Sequence, residues 1–218
     1  MNLNHTEDKQ ENQPVVRTIY LIRHGITPGN SEKRYVGRTD EGLMLSEEER
    51  LPGLYPQGEL AGVKHLVCSP MKRCRETAAI LFPGMEQLLV EDFKEMDFGD
   101  FEYKNYQELK DDPAYQAYLD SMGRTPFPNS EPFEDFNARV RKAFEALVPT
   151  LEDETALVVH GGTIMAILSG YGVPQQGYFD YMIKNGCGYC LKLRVNDRGR
   201  ISLHYKKMQK DTQVIMNE

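Results

Sequence analysis

The 218-residue chain has no uninterrupted apolar run approaching the roughly 18 residues that a membrane span requires. Its opening stretch, MNLNHTEDKQENQPV, lacks the apolar core of a secretory signal. Both absences argue against membrane insertion or export, and the cytoplasm is the expected location. A basic surplus is also missing: the formal net charge is −7 and the pI is near 5.4, which argues against a general nucleic-acid binder. Cysteine is scarce. Cys68, Cys74, Cys187 and Cys190, in a chain of this length without a signal, read as reduced thiols rather than a disulfide framework. Cys187 and Cys190 have a C-x-x-C spacing, yet they lead into an apolar strand pattern and no second pair at zinc spacing accompanies them. A redox or zinc role is disfavoured. Internal repeats are absent, and low complexity is confined to the first residues.

What is present is an alternation of buried strands and amphipathic helices. Short apolar runs at residues 18–22 (TIYLI), 65–68 (HLVC) and 155–159 (TALVV) read as buried parallel strands. SPMKRCRETAAILF carries Met71, Cys74, Ala78 and Leu81 at helical spacing, with Ser69-Pro70 as N-cap and first helical residue. Phe133, Phe136, Val140, Phe144, Leu147 and Leu151 share one face of a longer helix, and a third helix follows HGG and stops near Gly170 and Gly172. YCLKLRV, a turn at Asp197–Gly199 and RISLHYKK predict an antiparallel pair at one edge. The expected fold class is α/β, three layers with a mostly parallel central sheet. Residues 1–15 are expected to be a mobile tail and 16–218 a single domain, with an excursion over 99–132 that caps the substrate.

Three of the strands end in residues that a plain loop does not need. Arg23-His24-Gly25 follows the first, Ser69-Pro70 leading to Arg73 the second, and His160-Gly161-Gly162 the third. Carboxyl ends of strands in open α/β sheets form the ligand crevice, so these segments are expected to converge. Two histidines and two arginines then share one pocket, with helix N-termini adding N–H donors, and its natural occupant is a phosphate. Arg23 and Arg73 offer planar forks that match phosphoryl oxygens. Each of His24 and His160 is either a further donor or a nucleophile. A leaving alkoxide also needs an acid, and FKEMDFGDFE offers Glu95, Asp97, Asp100 and Glu102.

Taken together, LIRHGITPGN, SPMKRCRETA, KEMDFGDFE and VVHGGTIMAIL resemble the histidine phosphatase superfamily, phosphoglycerate mutase-like branch, in order and spacing from residue 18 to about 207. RHG followed by Thr27 and Asn30, with SPxxR and a later HGG, is specific as a set. The resemblance implies His24 as the nucleophile that becomes phosphohistidine, with Arg23, Arg73 and His160 on the phosphate oxygens. Asn30 assists, Thr27 and Gly161 join the binding set, and Glu95 is the general acid and then base. No metal or other cofactor is implied. Within the branch the segments are closest to α-ribazole phosphatases and related small phosphomonoesterases, which points to α-ribazole 5′-phosphate and cobalamin synthesis.

Two departures concern the substrate. Phe101 stands where the family usually has tryptophan and Tyr103 where it has glycine, while PNSEPFEDF keeps Glu131 but lacks the glycines of the family's GGES. Among the aromatics of the excursion, most of which read as packing residues, Phe101 and Tyr103 are the preferred ligand contacts because they follow the acid. His65 and His204 read as structural, His5 as inert, and Glu47-Glu48-Glu49 as the solvated first turn of a helix capped by Ser46. The expected activity is that of a phosphoric monoester hydrolase acting on a small phosphorylated metabolite. The alternatives are a cofactor-dependent phosphoglycerate mutase and a non-catalytic phospholigand sensor. A homo-oligomer is compatible with the sequence.

Overall fold

The computed structural model describes residues 15–56, 58–121 and 125–209. The expected tail, apart from Val15, and His5 within it lie outside the described residues. Seven strands form one sheet: β1 (Val16–Arg23), β2 (His65–Cys68), β3 (Leu88–Leu89), β4 (Thr155–Val159), β5 (Gly172–Val173), β6 (Gly188–Val195) and β7 (Ile201–Lys207). Their order is β3-β2-β4-β1-β6-β7-β5. β3, β2, β4 and β1 run parallel to one another, whereas β6 is antiparallel to both β1 and β7. Among the described residues the α-helices are α1 (Pro28–Ser31), α2 (Glu47–Gly53), α3 (Lys72–Leu81), α4 (Tyr106–Leu109), α5 (Pro113–Asp120), α6 (Phe133–Leu147) and α7 (Gly161–Tyr171).

Alternation along β1 explains the layers. Ile19 and Leu21 point to one face, where Phe136, Val140 and Phe144 of α6 and Ile164 and Ile167 of α7 cover them. Tyr20 and Ile22 point to the other, against Cys74 and Ala78 of α3. A strand buried on both faces must be apolar throughout, which is why TIYLI shows no polar alternation. A third, smaller core lies outside the sheet, where Phe101, Leu109, Tyr115 and Phe127 pack together with Tyr35 and Phe98 against them.

Two expected helix starts are corrected. α3 begins at Lys72 with Met71 at its N-cap and no side-chain cap, because Ser69 turns inward, and the Lys72 amide is taken by Asp40 Oδ1 at 2.7 Å. Ser46 makes no capping hydrogen bond to α2. Glu47 is 1% exposed rather than solvated, since its carboxylate is drawn in to accept from the Ile26 amide at 2.8 Å and to pair with Arg50.

Candidate active site

The ends of β1, β4 and β2 lie level with one another. Arg23 pairs with Val159 in the sheet register, the His24 amide donates to Val159 O, and the Ser69 amide donates to Val158 O. Hence the three segments that follow these strands meet, as the crevice rule for open α/β sheets requires.

His24 is 3% exposed, and its Nδ1 lies 2.7 Å from Gly25 O. A carbonyl oxygen can only accept, so Nδ1 carries the hydrogen and Nε2 keeps its lone pair. Burial, then the charges of Arg73 and Arg23, hold this imidazole well below its ordinary pKa of 6.5, and it is neutral at pH 7. Gly25 is needed beside it: a Cβ there would come within 2.5 Å of Glu47 Oε2.

His160 has the opposite tautomer. Arg73 Nε donates to its Nδ1 at 3.2 Å, so its Nε2–H donates to Ser69 Oγ at 2.8 Å. The two imidazoles meet edge to face, with ring centroids 5.2 Å apart. Burial, followed by Arg73, also lowers the His160 pKa far below its ordinary value. Arg73 is fully buried, and besides His160 it donates to the carbonyls of Thr39 and Gly37, both at 2.8 Å. That loop is held in turn by Glu102, whose Oε1 accepts from the Gly37 and Thr39 amides. Arg23 donates Nη1 to Ile183 O at 2.6 Å, while its buried Nε has no partner in the protein.

Glu95, 8% exposed, stands across the crevice. Its Oε2 accepts from the Gly162 amide at 3.0 Å and its Oε1 from the Met96 amide at 2.9 Å. This uses a donor of the α7 N-terminus that was expected to face the anion. Of the four acids considered, Glu95 alone lines the cavity. Asp97 caps the Gly99 amide, Asp100 accepts from Asn129, and Glu102 holds the Gly37–Thr39 loop.

The cavity measures about 290 Å³, and its lining takes in Arg23, His24, Asn30, Glu95 and Gly161. Arg73 and His160 stand behind it. Thr27 is not in the lining: its hydroxyl accepts from the Asn30 amide and caps α1. Phe101 and Tyr103 are corrected as ligand contacts. Phe101 is 1% exposed inside the third core, and Tyr103 is exposed, with its hydroxyl donating to Glu41. Tyr103 has φ 61°, the left-handed region in which glycine is unstrained, and this turns its side chain outward. The aromatic wall comes instead from Tyr35, Phe98, Tyr118, Phe127, Phe133 and Tyr178.

Sequence reasoning missed Asn185, whose amide reaches the His24–Gly25 backbone and Asn30, and Arg139, which holds the backbone around Glu95. Glu131 pairs with Arg139 at 2.5 Å, so the glutamate kept from the family motif acts through that arginine. Among the described residues, no group of three or more His, Cys, Asp or Glu could hold a metal ion, and no helix is long and apolar enough to cross a membrane.

Comparisons with known proteins bear on the family and the fold. The chain is 25% identical over 175 residues to the adenosylcobalamin/α-ribazole phosphatase of Escherichia coli K12, covering 78% of this chain and 86% of that one. It is also 25% identical over 154 residues to a protein named probable phosphoglycerate mutase GpmB from Enterobacter sp. strain 638, covering 69% and 72%. The crystal structure of the α-ribazole phosphatase from Shigella flexneri superimposes with a TM-score of 0.72 at 20% identity, covering 88% of this chain and 96% of that one, which shows a shared fold. Residues 19–205 match the histidine phosphatase superfamily (branch 1) over nearly the whole of the layered sheet and its crevice, and the chain belongs to that family.

Proposed function

We propose that the protein is a phosphomonoesterase that hydrolyses a small organic phosphate through a phosphohistidine at His24, with α-ribazole 5′-phosphate as the leading substrate. The observation that carries this reading is the hydrogen bond from His24 Nδ1–H to Gly25 O, which leaves a neutral Nε2 lone pair at the crevice among arginines.

In the first step His24 Nε2 bonds to phosphorus, the ester P–O bond breaks, and the leaving oxygen takes a proton from the Glu95 carboxyl. In the second, the Glu95 carboxylate takes a proton from water, whose oxygen bonds to phosphorus as the N–P bond breaks. Inorganic phosphate leaves and His24 returns to its neutral form. The unpartnered Nε of Arg23 is the direct clamp, and Asn30 assists it. Arg73 and His160, behind His24, add fixed charge and polarity that need no reorganisation during the reaction. The positive charge that a phosphoryl group calls for thus comes from side chains.

The wall of the cavity supports an ester whose alcohol carries a flat aromatic body. Tyr118, Phe127 and Phe133 offer flat apolar surface, and Arg34 is the remaining cation of the lining besides Arg23. Arg34 is already engaged by Glu32 at 2.6 Å and Glu108 at 2.7 Å. A phosphoglycerate carboxylate would have to displace one of them, which favours hydrolysis of a flat-bodied ester over a mutase reaction.

The test is a panel of α-ribazole 5′-phosphate, 3-phosphoglycerate, sugar phosphates, phosphoserine and p-nitrophenyl phosphate, without added metal and with His24→Ala as control. Preference for the ribazole ester supports the full reading. Phosphoryl transfer to an acceptor acid in place of water would replace it with the mutase, and binding without turnover would replace it with the sensor.

A further inference from the structure

The segment just before β6 grips the end of β1. The Gly186 amide donates to Arg23 O and His24 O, and Ile183 O receives the Arg23 guanidinium. Asn185 sits between them. Its Nδ2 lies 3.1 Å from Gly25 O, 3.3 Å from His24 O and 2.9 Å from Asn30 Oδ1. All three neighbours are acceptors, so the amide can face them only through its NH2 group. Its own backbone is tied as well, for Arg50 Nη2 donates to Asn185 O at 3.0 Å while pairing with Glu47.

Two consequences follow from that amide. Gly25 O is the atom that accepts from His24 Nδ1, so a second donor fixes it in the position that selects the Nδ1–H tautomer. Asn30 Oδ1 is held by Asn185 Nδ2 and by the Thr27 amide at 3.4 Å, which turns its own NH2 group away from both and leaves it free to donate to an anion. The His24 lone pair and the Asn30 donor are thereby set together by a residue outside the cavity lining.

We infer that Asn185 is a positioning residue of the phosphate site, fixing the tautomer of His24 and the amide orientation of Asn30. This rests on the reading of His24 as the nucleophile. A side chain that only stapled the loop would affect stability and leave both settings untouched.

The experiment compares wild type, Asn185→Asp and Asn185→Ala. Asp keeps the shape but presents oxygen to three acceptors, and Ala removes the donor without adding charge. Protein labelled with ¹⁵N-histidine gives the tautomer of His24 from ring nitrogen–proton correlations, assigned with His24→Gln. Inorganic phosphate binding is measured by titration, and kcat and KM with p-nitrophenyl phosphate. The expected result is a loss of the pure Nδ1–H signature in Asn185→Asp, with phosphate affinity and kcat/KM each down by about 10- to 100-fold. Asn185→Ala should move the same readouts less, and it decides the matter if the Asp variant does not fold. An unchanged tautomer with unchanged phosphate affinity, whatever the loss of stability, overturns the inference. If wild type hydrolyses nothing, the phosphatase reading fails, whereas tautomer and phosphate binding still decide the role of Asn185.

Discussion

Arg139 donates Nη2 to the main-chain carbonyl of Glu95 at 3.1 Å and so reaches the proposed acid from behind. Its Nη1 donates to Asp92 O and Lys94 O, and its remaining edge forms a two-point pair with Glu131. One guanidinium therefore fixes the backbone on which the carboxylate stands.

Arg139→Met should keep the contact with Phe136 in part and lose every donor. Glu131 then remains mostly buried with only the longer contacts to Arg38 at 3.8 Å and to the Asp97 amide at 3.4 Å, and about 2 kcal/mol of stability should be lost, read by urea unfolding. Because the acid loosens, kcat should fall more for alkyl phosphates than for p-nitrophenyl phosphate, whose leaving group needs little protonation. Equal losses on both would mean that Arg139 supports the fold alone.

Glu95→Gln keeps the shape of the acid and removes its proton. Turnover of an alkyl phosphate should drop by about 10²- to 10⁴-fold, with a smaller effect on phosphoenzyme formation from p-nitrophenyl phosphate. Rapid-quench trapping of the phosphohistidine separates the two steps.

A methyl group at Gly162 would come 2.3 Å from Glu95 Oε1 and 2.9 Å from the Phe136 ring. Gly162→Ala should push the carboxylate out of line and cut kcat by about 100-fold while the circular dichroism spectrum is retained. Retained activity would show that Glu95 works from a different position.

His24 and His160 are both neutral in the folded protein at pH values where an exposed histidine becomes charged. Below about pH 6.5 the unfolded chain takes up protons that the folded chain does not, so stability must fall as pH falls. The slope is about 1.4 kcal/mol per pH unit for each of the two, and it ends at their depressed folded values. Urea unfolding between pH 7.5 and 5.5 checks this. Replacing His24 with Asn should remove one histidine's share of the slope.

The centre of the sheet was legible because its parallel strands are buried on both faces, which leaves apolar runs that no loop imitates: TIYLI, HLVC and TALVV all became strands. Arg23, His24, Glu95 and His160 could be named because each abuts a strand end or sits in a compact motif. Asn185 and Arg139 could not, nor could the parts that Glu102 and Glu47 play. Each acts on backbone groups distant in the chain, and neither periodicity nor spacing marks a lone side chain whose partner is a carbonyl or amide of another loop. Phe101 and Tyr103 failed for the converse reason. Nearness to Glu95 along the chain does not carry over into space, because the short 3₁₀ turn at Gly99–Phe101 and the left-handed Tyr103 send their side chains elsewhere.

The third core has a bearing on how such a protein can change. Phe127 and Tyr115 rest on one another and on Phe101, whereas His24, Arg73 and His160 are anchored to the sheet and its loops. The aromatic wall and the paired histidines thus rest largely on different packing, with Glu102 and the Gly37–Thr39 loop as the link between them. A chain could exchange the aromatic wall, and with it the ester accepted, while the crevice keeps its alignment as long as the Glu102 link is kept.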